Sequence, residues 1–262
     1  GAEITFEDNV CCGKQIEKIT NNQYNFGISS QGFSGILIAF AFKGVHLGDI
    51  NGEIVSKQYI EMTKDVLAAF GFKSNGGYEF EGKSLAKHKY IVPSDYSTLA
   101  NYVAMNAVGN KIKYKCVEGN HPDKVFVENI FKQREELDIE ESIDSICPAI
   151  YMAINSNAAT HIKGISRAQY KESNRIEESK KILEKLNIKY EADDDSITIH
   201  PNNQWKENPT SFTSSNDHRC DMIKVMICSQ AGGQIDRVES INKSHPSFIK
   251  NLIKLGCKIE EI

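Results

Sequence analysis

The stretch Ile182-Leu183-Glu184-Lys185-Leu186-Asn187-Ile188-Lys189-Tyr190, continuing to Ser196-Ile197-Thr198-Ile199, decides the fold class, because the hydrophobic period changes inside it. Up to Leu186 the pattern is helical. Asn187 belongs to the residue types that close a helix in the left-handed conformation. Beyond it, apolar and polar residues alternate with the period of two of a half-buried strand, and Asp193-Asp194-Asp195 suits a hairpin turn. The same succession occurs at Val66-Leu67-Ala68-Ala69-Phe70-Gly71-Phe72-Lys73, running on through Ser74-Asn75-Gly76-Gly77 to Tyr78-Glu79-Phe80, and again at Asn251-Leu252-Ile253-Lys254-Leu255-Gly256-Cys257-Lys258-Ile259. Gly1-Ala2-Glu3-Ile4-Thr5-Phe6-Glu7 matches the part of this unit that follows its helix, so the chain is expected to begin within a unit.

Between these copies, helices are expected over Gln31–Lys43, Lys57–Phe70, Ser97–Ala107, Pro122–Lys132, Ile146–Asn157, Ile176–Leu186, Asp217–Ser229 and Pro246–Leu255. Glycines 44, 71, 109 and 256 close several of them. Further strands are expected at Val45–Ile50, Lys111–Val117, His161–Ile165 and Arg237–Ser240. Repeated helix–strand units with hairpins argue for an α/β (α+β) protein in which helices pack on sheets. The polar turn at Ala86–Pro93 suggests two domains, residues 1–92 and 93–262.

Composition excludes several function classes. The 262 residues are 40% hydrophobic and 25% charged, the proportions of an ordinary globular chain, and the net charge of −4 does not suit nucleic acid. An anion site must then be a local cluster of cations. No apolar run reaches the ~20 residues that span a bilayer, and no charged-then-apolar start suggests a secretion signal. The seven cysteines are odd in number and show no C-x-x-C spacing. This argues against a disulfide framework or zinc site and for free thiols in a reducing cytoplasm.

Four segments set polar and charged residues at helix starts, where unpaired N–H groups and the helix dipole favour anions. They are Ser29-Ser30-Gln31 before an apolar helix; Ser56-Lys57-Gln58-Tyr59; Lys171-Glu172-Ser173-Asn174-Arg175, with Lys171 and Arg175 four apart on one face; and Asn216-Asp217-His218-Arg219. Taken singly, each reads equally as a helix cap or a solvated turn. Taken in order, with Lys243-Ser244-His245-Pro246-Ser247-Phe248 downstream, they resemble the 5-enolpyruvylshikimate-3-phosphate synthase family. That family's runs are Ser-Ser-Gln, Lys-Glu-Ser/Thr-Asp/Asn-Arg, Asp-His-Arg and Lys-Ser/Thr-x-Pro-x-Phe. The resemblance extends over essentially the whole chain.

The resemblance implies a two-lobed enolpyruvyl transferase fold of repeated βαβαββ units, with one lobe incomplete here. It also implies transfer of the enolpyruvyl group of phosphoenolpyruvate to the 5-hydroxyl of shikimate 3-phosphate, with phosphate released and no metal or organic cofactor. By matched motif, Ser29, Ser30, Gln31, Ser56, Tyr59, Asp144 and Lys171 would hold shikimate 3-phosphate. Gln31, Arg175, Arg219 and Lys243 would hold phosphoenolpyruvate, and Asp144, Glu172 and Lys243 would be catalytic. The family's early phosphoenolpyruvate-binding residues have no counterpart in this sequence, so a separate N-terminal segment is an expected partner. The alternative is a truncated, non-catalytic homologue that binds phosphorylated ligands or a partner. A related transferase acting on a UDP-sugar fits the Ser-Ser-Gln and Lys-Glu-Ser-Asn-Arg runs less well. Three features depart from the family pattern: the Asp144–Pro148 spacing, Arg167 at a polar contact position, and Asp221, whose burial would be costly unless paired.

Overall fold

The computed structural model describes residues 4–7, 10–13, 27, 29–43, 54–74, 77–78, 80–81, 89–130, 132 and 135–261, with backbone only for 4–7, 10–13, 43 and 81. The chain divides into two compact units, Gly1–Tyr90 and Ile91–Ile262.

In the first unit, strands β1 (Ile4–Glu7) and β2 (Val10–Gly13) pair antiparallel. Helices α1 (Gln31–Lys43) and α2 (Lys57–Ala69) pack on each other. Their facing sides bury Phe33, Leu37, Ala41, Ile60 and Leu67, and Phe72 and Phe80 complete this core. A Thr63 to Ser34 hydroxyl bond of 2.8 Å ties the two helices together. β3 (Lys73–Ser74) and β4 (Phe80–Glu81) form the expected hairpin. The expected strand Val45–Ile50 and the cap Gly44 lie outside the described residues.

The second unit contains α3 (Tyr96–Ala107), α4 (Lys124–Asn129), β5 (Glu136–Asp138), α5 (Ile146–Ile154), β6 (Thr160–Lys163), α6 (Arg175–Lys185), β7 (Lys189–Ala192), β8 (Ser196–His200), β9 (Thr210–Phe212), α7 (His218–Ala231), β10 (Gly233–Ile235) and α8 (Phe248–Lys254). Its main sheet has the order β5-β6-β8-β7, with β5 parallel to β6 and the other pairs antiparallel. β9 and β10 form a separate parallel pair. Every residue of α5 is buried, so this helix is apolar all round and sits at the centre of the core. By contrast, α6 buries the stripe Ile176, Ser179, Ile182 and Leu183 and shows its charged face to solvent.

The repeated unit is visible as one capping geometry made three times. Gly71 (φ 88°), Asn187 (φ 54°) and Gly256 (φ 99°) all take the left-handed conformation. In each copy the next N–H bonds the carbonyl five residues back: Phe72 to Leu67 (3.0 Å), Ile188 to Leu183 (2.9 Å) and Cys257 to Leu252 (3.0 Å). The third copy then departs from expectation, because no strand follows Gly256 among the described residues. Lys111–Val117 is also not a strand: the Ile112 N–H bonds Asn106 Oδ1, and Val117 accepts from the Ser94 N–H and donates its own N–H to Ser94 Oγ. Arg237–Ser240 bends into a 3-10 turn, Glu239–Lys243, closed by the Ile241 N–H on the Val238 carbonyl.

Candidate anion-binding and acid–base site

The five candidates of the first unit stand at two helix starts. Ser29 and Gln31 are exposed and Ser30 is buried where α1 begins, and the Gln31 N–H donates to Ser29 Oγ at 3.3 Å. Ser56 precedes α2 in a left-handed conformation (φ 49°) and makes no side-chain cap bond there. Its carbonyl instead accepts from the Tyr59 N–H at 3.1 Å.

In the second unit, two sequence-distant segments, at Asp144 and Asp217, converge on Arg175, where Glu172 of its own turn joins them. Asn174 caps α6 by accepting from the Glu177 N–H, and this sets Arg175 at the first helical position. The guanidinium is 1% exposed. Its Nη1 donates to Asp144 Oδ1 (2.6 Å), its Nε to Asp217 Oδ2 (2.8 Å) and its Nη2 to Glu172 Oε2. Lys171 Nζ lies 3.2 Å from Asp144 Oδ1, and Arg219 Nη2 lies 3.6 Å from Asp144 Oδ2. Asp144 thus sits among three cations. Burial pushes its carboxyl up, but Arg219, Lys171 and Arg175 outweigh this and hold it well below the usual range. Asp217 follows the same logic: burial opposes ionisation, and Arg175 overcomes it.

Arg219 differs from Arg175. Its Nε and Nη1 are buried without a hydrogen-bond partner among the described residues. Lys243 is exposed and reaches the carbonyl of Asn216 at 3.5 Å, so it borders the Asp217–Arg219 turn rather than joining the Arg175 cluster. Of the departures, Arg167 donates to the Glu140 carbonyl. Asp221 is fully buried but amply paired: it accepts from Ser214, Ser215 and Ser240.

Behind Arg219 lies a carboxylate–imidazole group that the motif reading missed. Asp95 caps α3 through the Ser97 and Thr98 N–H groups and faces His121 Nε2 at 3.3 Å. His121 Nδ1 accepts from the Asp123 N–H and lies 3.5 Å from Asp123 Oδ2. Asp123 is fully buried, with Ser145 Oγ donating to its Oδ1 at 2.5 Å. The Asp95-Tyr96-Ser97-Thr98 cap was legible as a helix start, but nothing in the sequence linked it to residues 121 and 123.

Burial and the nearby charge of Asp144 push the Asp123 carboxyl up to about 6, against Arg219, Ser145 and His121. Between about pH 4 and pH 6 the folded chain therefore holds a proton that the unfolded chain has released, so this group's contribution to stability falls as pH rises through that window. The rise from 3.8 to about 6 sets an upper limit of ~3 kcal/mol. Asp123→Asn keeps the oxygen for Ser145 and offers an N–H toward His121, like the protonated acid. The variant is expected to be ~1–3 kcal/mol more stable than the parent at pH 7 and about equal at pH 4. Urea unfolding followed by Trp205 fluorescence checks this, and equal gains at both pH values would contradict it.

Comparison with known proteins places this geometry in context. The family model described as EPSP synthase (3-phosphoshikimate 1-carboxyvinyltransferase) matches residues 1–133 and 105–252. A curated 3-phosphoshikimate 1-carboxyvinyltransferase of Sulfurisphaera tokodaii is 32% identical over 264 residues, covering 89% of this chain and 63% of that protein. Its counterpart in Methanopyrus kandleri is 24% identical, covering 90% of this chain and 60% of that protein. The chain thus spans about three fifths of the length of these relatives. Among solved structures, an EPSP synthase from Acinetobacter baumannii superposes with a TM-score of 0.71 at 21% identity, covering 99% of this chain and 69% of that one. The enolpyruvyl transferase NikO from Streptomyces tendae gives a TM-score of 0.65 at 12% identity with the same coverages. At these identities the structural likeness shows the fold, which is that of enolpyruvyl transferases.

Proposed function

Because this chain belongs to the EPSP synthase family, matched along residues 1–133 and 105–252, we propose that it carries the greater part of an enzyme that moves the enolpyruvyl group of phosphoenolpyruvate to the 5-hydroxyl of shikimate 3-phosphate. The observation that carries this reading is the convergence of Lys171, Arg175 and Arg219 on buried Asp144, with two Arg219 donors lacking partners among the described residues. Because Arg175 already meets three carboxylates, the Arg219 donors are the part of this group suited to a carboxylate- or phosphate-bearing anion.

In the reaction, the 5-oxygen forms a bond to C2 of phosphoenolpyruvate while the methylene carbon gains a proton. The tetrahedral intermediate then loses phosphate and a methyl proton, restoring the double bond. Asp144 would take the hydroxyl proton: its cations hold it ionised, and their engagement by the substrate anions would raise its basicity. Glu172, whose side chain is 46% exposed, is the most accessible of Arg175's partners. An incoming phosphoenolpyruvate would displace Glu172 from Arg175 Nη2. That exchange would both seat the substrate and free Glu172 for proton transfer at the methylene carbon. Arg219 and Lys243 would hold the carboxylate and phosphate. Ser29, Ser30, Gln31, Ser56, Tyr59 and Lys171 would hold shikimate 3-phosphate, with Gln31 between the two substrates. The described cysteines are free thiols, which suits a cytoplasmic setting.

The test is phosphate release from phosphoenolpyruvate and shikimate 3-phosphate. It is run on the chain alone and with the segment of its relatives that the match leaves uncovered, supplied in trans as the proposed partner. Release that depends on both substrates is expected in at least one arm. No release in either arm by folded protein would sink the proposal in favour of a non-catalytic binding protein.

A further inference from the structure

We infer that Asp221 is a positioning residue that locks the segment bearing Lys243 onto the helix bearing Arg219, so that the two cations meet one anion at a fixed spacing. This rests on the function proposed above and deepens it. Asp221 lies in the first turn of α7, two positions after Arg219, and is 0% exposed. Its Oδ2 accepts from Ser214 Oγ and Ser240 Oγ, both at 2.6 Å. Its Oδ1 accepts from the Ser215 N–H at 3.0 Å and Ser215 Oγ at 3.2 Å, with Lys224 Nζ at 3.5 Å. Ser240 belongs to the same 3-10 turn, Glu239–Lys243, that ends in Lys243. Ser214 and Ser215 lead directly into Asn216, whose left-handed backbone (φ 57°) presents its carbonyl to Lys243 Nζ.

The network continues to the third cation. Lys224 Nζ donates to the Thr213 carbonyl (2.9 Å) and to Glu178 Oε2 (3.2 Å), and Glu178 stands on α6 in the turn that begins with Arg175. A carboxylate offers about four acceptor sites and no donor, so Asp221 can serve donors from α7, the 213–216 loop and the 239–243 turn at once. An apolar side chain here would leave the Ser215 N–H and the three serine hydroxyls without this common acceptor. Asp221 therefore does not act on substrate. It acts through Arg219 and Lys243, by keeping their two chain segments in register.

The decisive variant is Ser240→Ala, which cuts the link to the Lys243 turn and leaves Asp221 with Ser214, Ser215 and Lys224. Asp221→Asn weakens all the links together. Hydrogen exchange over residues 239–245 is expected to speed up at least tenfold in both. In the phosphate-release assay, KM for phosphoenolpyruvate should rise at least tenfold while KM for shikimate 3-phosphate stays within twofold. Ser240→Thr, which keeps the hydroxyl, should restore both readouts. A merely structural role would lower the melting temperature without splitting the two KM values. Unchanged exchange in both variants, or faster exchange with an unchanged KM for phosphoenolpyruvate, overturns the inference. If the parent releases no phosphate, it is the proposed function that fails. The positioning claim is then judged on exchange over 239–245 together with calorimetric titration of inorganic phosphate, and it falls if Ser240→Ala alters neither.

Discussion

Arg175→Met is expected to cost the unit formed by residues 91–262 about 3–5 kcal/mol of stability at pH 7, the range for removing one partner from a buried ionic group. The side chain is 1% exposed and bonds three carboxylates. Methionine fills much of the volume, so a cavity is not the main cost. The main cost is the anions left behind. Asp217 is fully buried and loses its 2.8 Å partner, while Asp144 loses its 2.6 Å partner and keeps Lys171 and the longer contact to Arg219. The pH dependence gives the prediction a second handle. In the parent, both carboxyls are held below their ordinary values, so they stabilise the fold above about pH 4 and lose that effect as pH falls. In the variant the Asp217 carboxyl, which loses its largest stabilising charge, should rise, and Asp144 should move part of the way back toward its ordinary value, so the deficit should be largest at pH 7 and smaller at pH 4. The only tryptophan, Trp205, is buried in this unit, so its fluorescence in urea reports this unit. A loss below ~1 kcal/mol at pH 7 would mean that Arg175 is not the organising charge.

How much of this was legible beforehand depended on whether the determining interactions were local. The three left-handed helix ends followed from single residues, Gly71, Asn187 and Gly256, because cap geometry is decided within one turn. Helix α1 fell on its expected bounds because Ser29-Ser30-Gln31 opens it and the apolar run at residues 35–42 fills it. The site residues of the second unit were found as motifs, since Lys171, Glu172 and Arg175 share a turn and Asp217 and Arg219 another. What the sequence did not reveal is how these turns are joined. Arg175 and Asp217 are 42 residues apart, and no periodicity signals their bond. Asp221 looked like a liability when read alone, and it becomes a hub only once Ser240 is folded beside it. The strands expected at Lys111–Val117 and Arg237–Ser240 failed for a related reason. Alternation marks a segment as suited to a sheet, but a neighbouring strand must still be there to pair with it.

Arg219→Met should lower phosphate release at least a hundredfold, an effect of ~2.7 kcal/mol on the transition state, while changing stability by no more than ~1 kcal/mol. The contrast with Arg175 follows from hydrogen-bond accounting. Arg175 has its donors on carboxylates, whereas Arg219 carries two buried nitrogens without partners among the described residues and lies 3.6 Å from Asp144. Unpaired buried donors are costly in the fold, so their removal offsets part of the attraction lost to Asp144, Asp123 and Asp95. Asp123 answers the lost charge by keeping its proton to a higher pH, since Arg219 is one of the groups that now oppose protonation. Asp144 retains Arg175 at 2.6 Å and Lys171 at 3.2 Å, so its placement survives. A fold that tolerates losing Arg219 while the reaction does not is the signature of a group whose donors are meant for the substrate. Arg219→Lys separates geometry from charge: one ammonium cannot reproduce a planar fork, so most of the activity loss should persist. If Arg219→Met instead unfolds the unit as readily as Arg175→Met, then Arg219 holds the structure together, and its assignment to phosphoenolpyruvate fails.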